Sequence, residues 1–135
     1  MVYRLQSHVV LVTKYRKGVI TDRVREALIH TAREVCERLG VDLIEADGDV
    51  DHLHLLVDYP PKLSMSAFVG AVKTNTSLRI RQKDFEEVTT SLWGKHFWSP
   101  SYFVCSVGSN TQDRVRRYIR DQRKPNRKPG RPKAS

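Results

Sequence analysis

The amino-acid sequence predicts an α+β fold: a ferredoxin-like antiparallel sheet backed by helices on one face, followed by one more helix near the C-terminus. Three observations lead there. Short β-branched runs alternate with longer amphipathic stretches in the order strand, helix, strand, strand, helix, strand, helix. Strands adjacent in sequence, with no long crossover between the middle pair, pair antiparallel and need helices to cover one face. The chain has 135 residues, 39% hydrophobic and 29% charged, which is one globular domain's worth. A domain of that size buries roughly two-thirds of its unfolded surface and needs no staple to fold.

Each element has a local reason. Residues 8–15, HVVLVTKY, are rich in β-branched side chains and read as the first strand. Thr21 is placed to cap a helix over 22–39, with Val24, Leu28, Ala32, Val35, Cys36 and Leu39 along one side. Gly40 stands where a glycine stop belongs. Residues 41–47 and 52–58 read as two strands of a β-hairpin turning through Gly48 and Asp49. Pro60 and Pro61 end that unit, and Ser64 can cap a helix running to about Gln82, with Met65, Phe68, Val69 and Val72 inward. Residues 101–107, SYFVCSV, read as the last strand and Gly108 to Asn110 as a turn. A final helix over 111–122 cannot extend past Pro125. Residues 1–124 therefore form a single domain, and 125–135 a basic tail containing proline and glycine.

Charge is distributed unevenly. The net charge is +9, and residues 114–135 hold ten basic side chains against one acid, Asp121, so 10 − 1 = +9 accounts for all of it. Such a block is the footprint of a polyanion, and RKPNRKPGRPK has the spacing of an arm that tracks a nucleic-acid backbone. The tail lacks the apolar face that a membrane surface demands. No run of 18 apolar residues and no signal-peptide pattern is present, so no membrane span or export is expected. Cys36 and Cys105 form no C-x-x-C and read as reduced thiols of a cytoplasmic protein.

Two constellations carry chemistry. In Asp51-His52-Leu53-His54-Leu55-Leu56-Val57, strand alternation sets His52 and His54 on one face and Leu53, Leu55 and Val57 on the other. Two such imidazoles can ligate one ion; taken alone they better suit two surface histidines on a half-exposed strand. In Tyr118-Ile119-Arg120-Asp121-Gln122, helical spacing presents Tyr118 and Gln122 together, and alone these suit a packing tyrosine and a solvated helix end. Together they compose a reaction centre. A divalent ion on two imidazoles and an amide oxygen polarises a phosphate, and a tyrosine hydroxyl becomes a covalent nucleophile. Arg114, Arg117 and Arg123 stand beside it to hold a phosphate backbone.

These residues resemble the HUH endonucleases, specifically the small single-tyrosine transposases of insertion sequences that move as single-stranded DNA, the TnpA class. The resemblance spans nearly the whole chain: Thr13-Lys14-Tyr15-Arg16, the DHLHLLV strand with histidine–hydrophobic–histidine at 52–54, Lys73, the stretch from Phe97 to Phe103, and YIRDQ. One tyrosine 64 residues after His54 matches the order of this class (118 − 54 = 64). The resemblance implies that Tyr118 is the nucleophile, forming a 5′-phosphotyrosine and freeing a 3′-hydroxyl. It implies His52, His54 and Gln122 as ligands of Mg²⁺ or Mn²⁺, and a homodimer with joined sheets whose tyrosine helix can serve the partner's histidines. It also implies single-stranded DNA bearing hairpins as partner, with Lys14, Arg16, Lys73, Arg114, Arg117, Arg123 and Lys124 as DNA contacts. The competing readings are a domesticated hairpin binder that does not cut, and a replication-initiator type of nicking enzyme. Tyr118, His52, His54 and Gln122, all intact, favour the transposase over the binder; the nicking enzyme shares the chemistry and is told apart by whether the gene is flanked by imperfect palindromes that are cut at both ends. Of the aromatics Trp93, Phe97, Trp98, Tyr102 and Phe103, Trp98 and Phe103 are expected in the core; the others suit core or base stacking equally.

Overall fold

The structure, a computed structural model, describes residues 4–92 and 96–107. Its elements are β1 (Leu5–Thr13), a 3-10 turn (Lys14–Arg16), α1 (Asp22–Leu39), β2 (Asp42–Asp49), β3 (His52–Tyr59), α2 (Met65–Lys83), the single-turn α3 (Glu86–Thr89) and β4 (Trp98–Ser106). The sheet runs β2-β3-β1-β4 with every neighbouring pair antiparallel. The connectivity is therefore the split βαβ arrangement of a ferredoxin-like sheet, as the sequence predicts. The expected turn over 108–110, the helix over 111–122 and the tail lie outside the described residues.

Both long helices start and stop where the sequence marks them. The Thr21 side chain accepts from the Val24 N–H, and Gly40, at φ 71°, closes α1 with its N–H donating to the carbonyls of Cys36 and Glu37. Ser64 accepts from the Ala67 N–H at 3.0 Å and opens α2. From α1, Val24, Leu28, Ala32, Val35 and Cys36 are buried, and from α2, Phe68, Val69, Val72, Thr76 and Ile80. They meet Val9 and Leu11 of β1 and Leu53, Leu55 and Val57 of β3 in one core. Each such aliphatic side chain stabilises the fold by about 1.5–3 kcal/mol relative to exposure. No helix among the described residues is long and apolar enough to cross a membrane.

The alternation on β1 and β3 divides the sheet into two faces. Opposite the helices lie His8, Val10 and Val12 of β1, His52 and His54 of β3, and Glu45, Asp47 and Asp49 of β2; Val10 faces His54 across β1–β3, and Asp47 faces His54 across β2–β3. Val10 and Val12 are buried there and pack against Phe103 of β4.

Four boundaries depart from the sequence reading. β1 begins three residues early because Leu5, Gln6 and Ser7 continue the ladder with Tyr59, Asp58 and Val57. It ends at Thr13 because Tyr15 and Arg16 take left-handed φ values of 57° and 51°, which no strand accommodates. The β-hairpin turns at Val50 and Asp51, and Gly48 is a strand residue paired with Leu53. β4 starts at Trp98, which pairs with Thr13 across an irregularity in register, and its position at the sheet edge tolerates Pro100.

Candidate functional site

The histidine strand is anchored at its start and from below. Leu53, Leu55 and Val57 hold one face of β3 in the core, which leaves His52 and His54 on the other. At its start, the Asp51 carbonyl accepts from the Thr13 N–H at 3.0 Å and from Thr13 Oγ1 at 3.3 Å, tying the turn to the end of β1. A Cβ at Gly48 would run into the His52 carbonyl oxygen, so glycine lets β2 approach the first histidine closely.

Each imidazole has a partner. Asp51 Oδ1 lies 3.1 Å from His52 Nδ1. His54 Nε2 lies 2.6 Å from Nδ1 of His8. The His8 and His54 rings are nearly parallel, at 19°, with centroids 4.8 Å apart. That separation is close to the N···N distance plus the two ring radii, so the rings meet edge to edge rather than face over face. Burial lowers the pKa of His54, and the His8 charge lowers it further, while Glu45 pulls the other way. Burial likewise lowers His8, opposed by Glu45. Both rings are thus held toward the neutral form, the form that ligates metals. Among the described residues no three His, Cys, Asp or Glu side chains converge as a metal centre. His52 and His54, on one face of β3, fit a divalent ion as two imidazole ligands of a larger set.

A second feature lies beyond the end of β1. A cleft of about 510 Å³ is lined by Lys14, Lys73, Arg81, His96, Phe97 and Trp98 among others. Trp98 Nε1–H donates to Thr76 Oγ1 at 2.9 Å, fixing one wall. The Lys73 ammonium donates to the carbonyls of Ser99, Pro100 and Ser101 at 2.7, 3.2 and 3.4 Å, and burial lowers its pKa. Its donors are committed to holding the start of β4. Beside the cleft, the 3-10 turn leaves Tyr15 78% exposed, with Lys14 Nζ 5.4 Å from its ring centroid. Two consecutive non-glycine residues in left-handed conformation are costly, and such strain concentrates at functional turns. Arg16 Nη1 is buried without a hydrogen-bond partner among the described residues, a donor suited to an anion.

The structure thus brings His52 and His54 together and sets Lys14 and Lys73 on one cleft. Tyr118, Gln122, Arg114, Arg117, Arg123 and Lys124 lie outside the described residues. Trp98 is buried in the main core as expected, whereas Phe103 packs on the opposite face. Phe97 is also buried, with its ring edge-on to Trp98. The sequence reading missed His8, Asp51 and the acidic row of β2. The signal for His8 was present: alternation within HVVLV separates it from Val9 and Leu11. The pairing register that sets it beside His54 was not.

Comparison with known proteins bears on the family and the fold. Residues 1–122 match the family model of the IS200-like transposases. The transposase of insertion sequence IS200 from Salmonella typhimurium is 32% identical over 120 residues, 89% of this chain and 78% of that protein. The ISDra2 transposase TnpA of Deinococcus radiodurans is 31% identical over 121 residues, 90% of this chain and 86% of that protein. A transposase crystal structure from Deinococcus radiodurans R1 superposes with a TM-score of 0.80 at 31% identity, covering 90% of this chain and 93% of that one. A REP-associated tyrosine transposase bound to a REP hairpin shares the fold, with a TM-score of 0.54 at 13% identity over 83% of this chain and 61% of that one.

Proposed function

The chain belongs to the IS200-like transposase family, and from that premise we propose that it cuts and rejoins single-stranded DNA at hairpin-bearing element ends, with Tyr118 as the covalent nucleophile. The observation that carries this reading is the pair His52 and His54, set on one face of a core-anchored strand with one ring nitrogen of each already engaged. That arrangement is a means of orienting metal ligands, and a mere DNA-binding sheet has no use for it.

In the proposed reaction the Tyr118 oxygen forms a bond to phosphorus as the bond from phosphorus to the 3′ oxygen breaks. The phenolic proton leaves to solvent and the departing 3′ oxygen takes one up. The product is a 5′-phosphotyrosine and a free 3′-hydroxyl, and attack by another 3′-hydroxyl reverses the step and joins strands. Bound by His52, His54 and Gln122, Mg²⁺ or Mn²⁺ supplies Lewis-acid polarisation of the phosphate. Asp51 holds the His52 ring so that Nε2 carries its lone pair. Lys14 and Arg16 meet the DNA backbone at the cleft, Lys73 shapes the cleft wall, and the exposed Tyr15 ring offers a stacking surface for an unpaired base. Arg114, Arg117, Arg123 and Lys124 neutralise phosphates near the nucleophile.

The dimer implied by the family forms through β4. Of the two edge strands, β2 carries four acids, Asp42, Glu45, Asp47 and Asp49, which repel a second copy, whereas β4, WSPSYFVCS, carries no charge. The test of this function is strand-selective cleavage. A labelled single strand with a hairpin should be cut in the presence of Mn²⁺, stay intact with chelator, and stay intact as a duplex. Equal cutting of duplex and single strand, or cutting under chelator, would contradict the proposal.

A further inference from the structure

We propose that His8 is the positioning partner of His54: it accepts the Nε2–H of His54 and so leaves Nδ1 as the nitrogen that His54 turns toward a divalent ion. This rests on the metal-binding reading of His52 and His54 given above.

The argument starts from proton counting. Two imidazole nitrogens 2.6 Å apart and edge to edge hold one proton between them. Two protons would clash, and none would oppose two lone pairs. A neutral imidazole has one N–H and one lone pair. If His8 were the donor, His54 would spend its only lone pair on His8 and carry its proton on Nδ1, with nothing left for a metal. If His54 is the donor, Nδ1 keeps the lone pair and no ring has to move. His52 is arranged by the same logic with its nitrogens exchanged: Asp51 engages Nδ1 and leaves Nε2. One nitrogen of each histidine is engaged by a neighbour.

His8 is well placed to hold a ring still. It is 6% exposed and sits on β1, which is paired on both sides, to Leu56 of β3 and Cys105 of β4. His54 pairs in register with Val10, so His8 reaches it diagonally across the ladder. Partners of this kind fix the tautomer and orientation of a ligating histidine, and their removal typically weakens metal binding about 10–100-fold.

The test uses the full chain in two measurements. Long-range proton–nitrogen NMR on wild type at neutral pH should show His54 with a protonated Nε2 and an unprotonated Nδ1, and His8 with an unprotonated Nδ1. Calorimetry with Mn²⁺ should show His8→Ala weakened about 10–100-fold, and His8→Asn, whose Oδ1 can accept the same proton, restored to within a few-fold of wild type. Urea melts establish that each variant is folded; should His8→Ala fail to fold, the wild-type spectrum and His8→Asn decide. An unprotonated Nε2 on His54, or wild-type affinity in folded His8→Ala, overturns the proposal. A wild-type chain that binds no Mn²⁺, or a His54→Ala chain that binds it normally, overturns the metal reading and this inference with it. If those controls behave and only His8→Ala is silent, this inference alone fails.

Discussion

Neighbouring residues on β3 should fail in opposite ways when truncated. Leu55 is fully buried in the main core, on a strand with a partner on each side. Leu55→Ala removes three carbons, a methine and two methyl groups, and leaves a cavity that the sheet cannot close, at a cost of about 2–5 kcal/mol. Against a total stability of about 5–15 kcal/mol that is a large fraction. His54→Ala leaves the buried His8 Nδ1 without its partner, at a cost of about 1–3 kcal/mol. Urea denaturation followed by tryptophan fluorescence gives both numbers, and calorimetry with Mn²⁺ gives the affinity. The expected pattern is a severely destabilised Leu55→Ala that still binds Mn²⁺ where folded, and a folded His54→Ala that does not. Equal destabilisation, or retained Mn²⁺ binding by His54→Ala, would refute the two-faced account of the strand.

Three further outcomes follow from the same structure. Tyr15→Ala should weaken single-strand binding by about 1–3 kcal/mol, the loss of one stacked base; unchanged affinity in a filter-binding titration would remove Tyr15 from the interface. Deleting residues 125–135 removes Arg127, Lys128, Arg131 and Lys133, so the salt dependence of single-strand binding should flatten by up to about 0.7 per lost phosphate contact; an unaltered slope would make the tail a bystander. Stability should fall on acidification: His8 and His54 are both lowered from 6.5 by burial, with Glu45 opposing in each case. The unfolded chain then takes up protons first, so the contribution is complete above about 6.5 and is lost as pH drops toward the folded values. Urea midpoints rising between pH 7 and 5 would contradict that sign.

Most of the fold was legible because local chemistry specifies it. Thr21 and Gly40 bracket α1, Ser64 opens α2, and the alternation in DHLHLLV announces which face is buried. The errors fall where long-range pairing overrides local preference. The β-hairpin turned at Val50 and Asp51 rather than at Gly48, because Gly48 is needed for close passage beside His52, not for a turn. Lys14 and Tyr15 read as strand from their neighbours, yet contacts such as Lys14 N–H to the Phe97 carbonyl and Thr13 Oγ1 to the Lys17 carbonyl hold the segment in a left-handed turn. At the site, His52 and His54 were visible because both stand on one strand. His8 was not, since its proximity to His54 arises only when β1 and β3 pair in one particular register. Lys73 was legible as a basic residue, but its engagement with three carbonyls of the 99–101 segment depends on where β4 docks on α2.

The central claim, that Tyr118 becomes covalently attached to a cut DNA strand, has a direct measurement. The full chain is incubated with a labelled hairpin-bearing single strand and Mn²⁺, then denatured and digested, and the DNA-linked peptide is sequenced by mass spectrometry. The account predicts a 5′-phosphate adduct on Tyr118, absent from Tyr118→Phe and from His52→Ala. An adduct on another residue, or undiminished adduct formation by Tyr118→Phe, would contradict it.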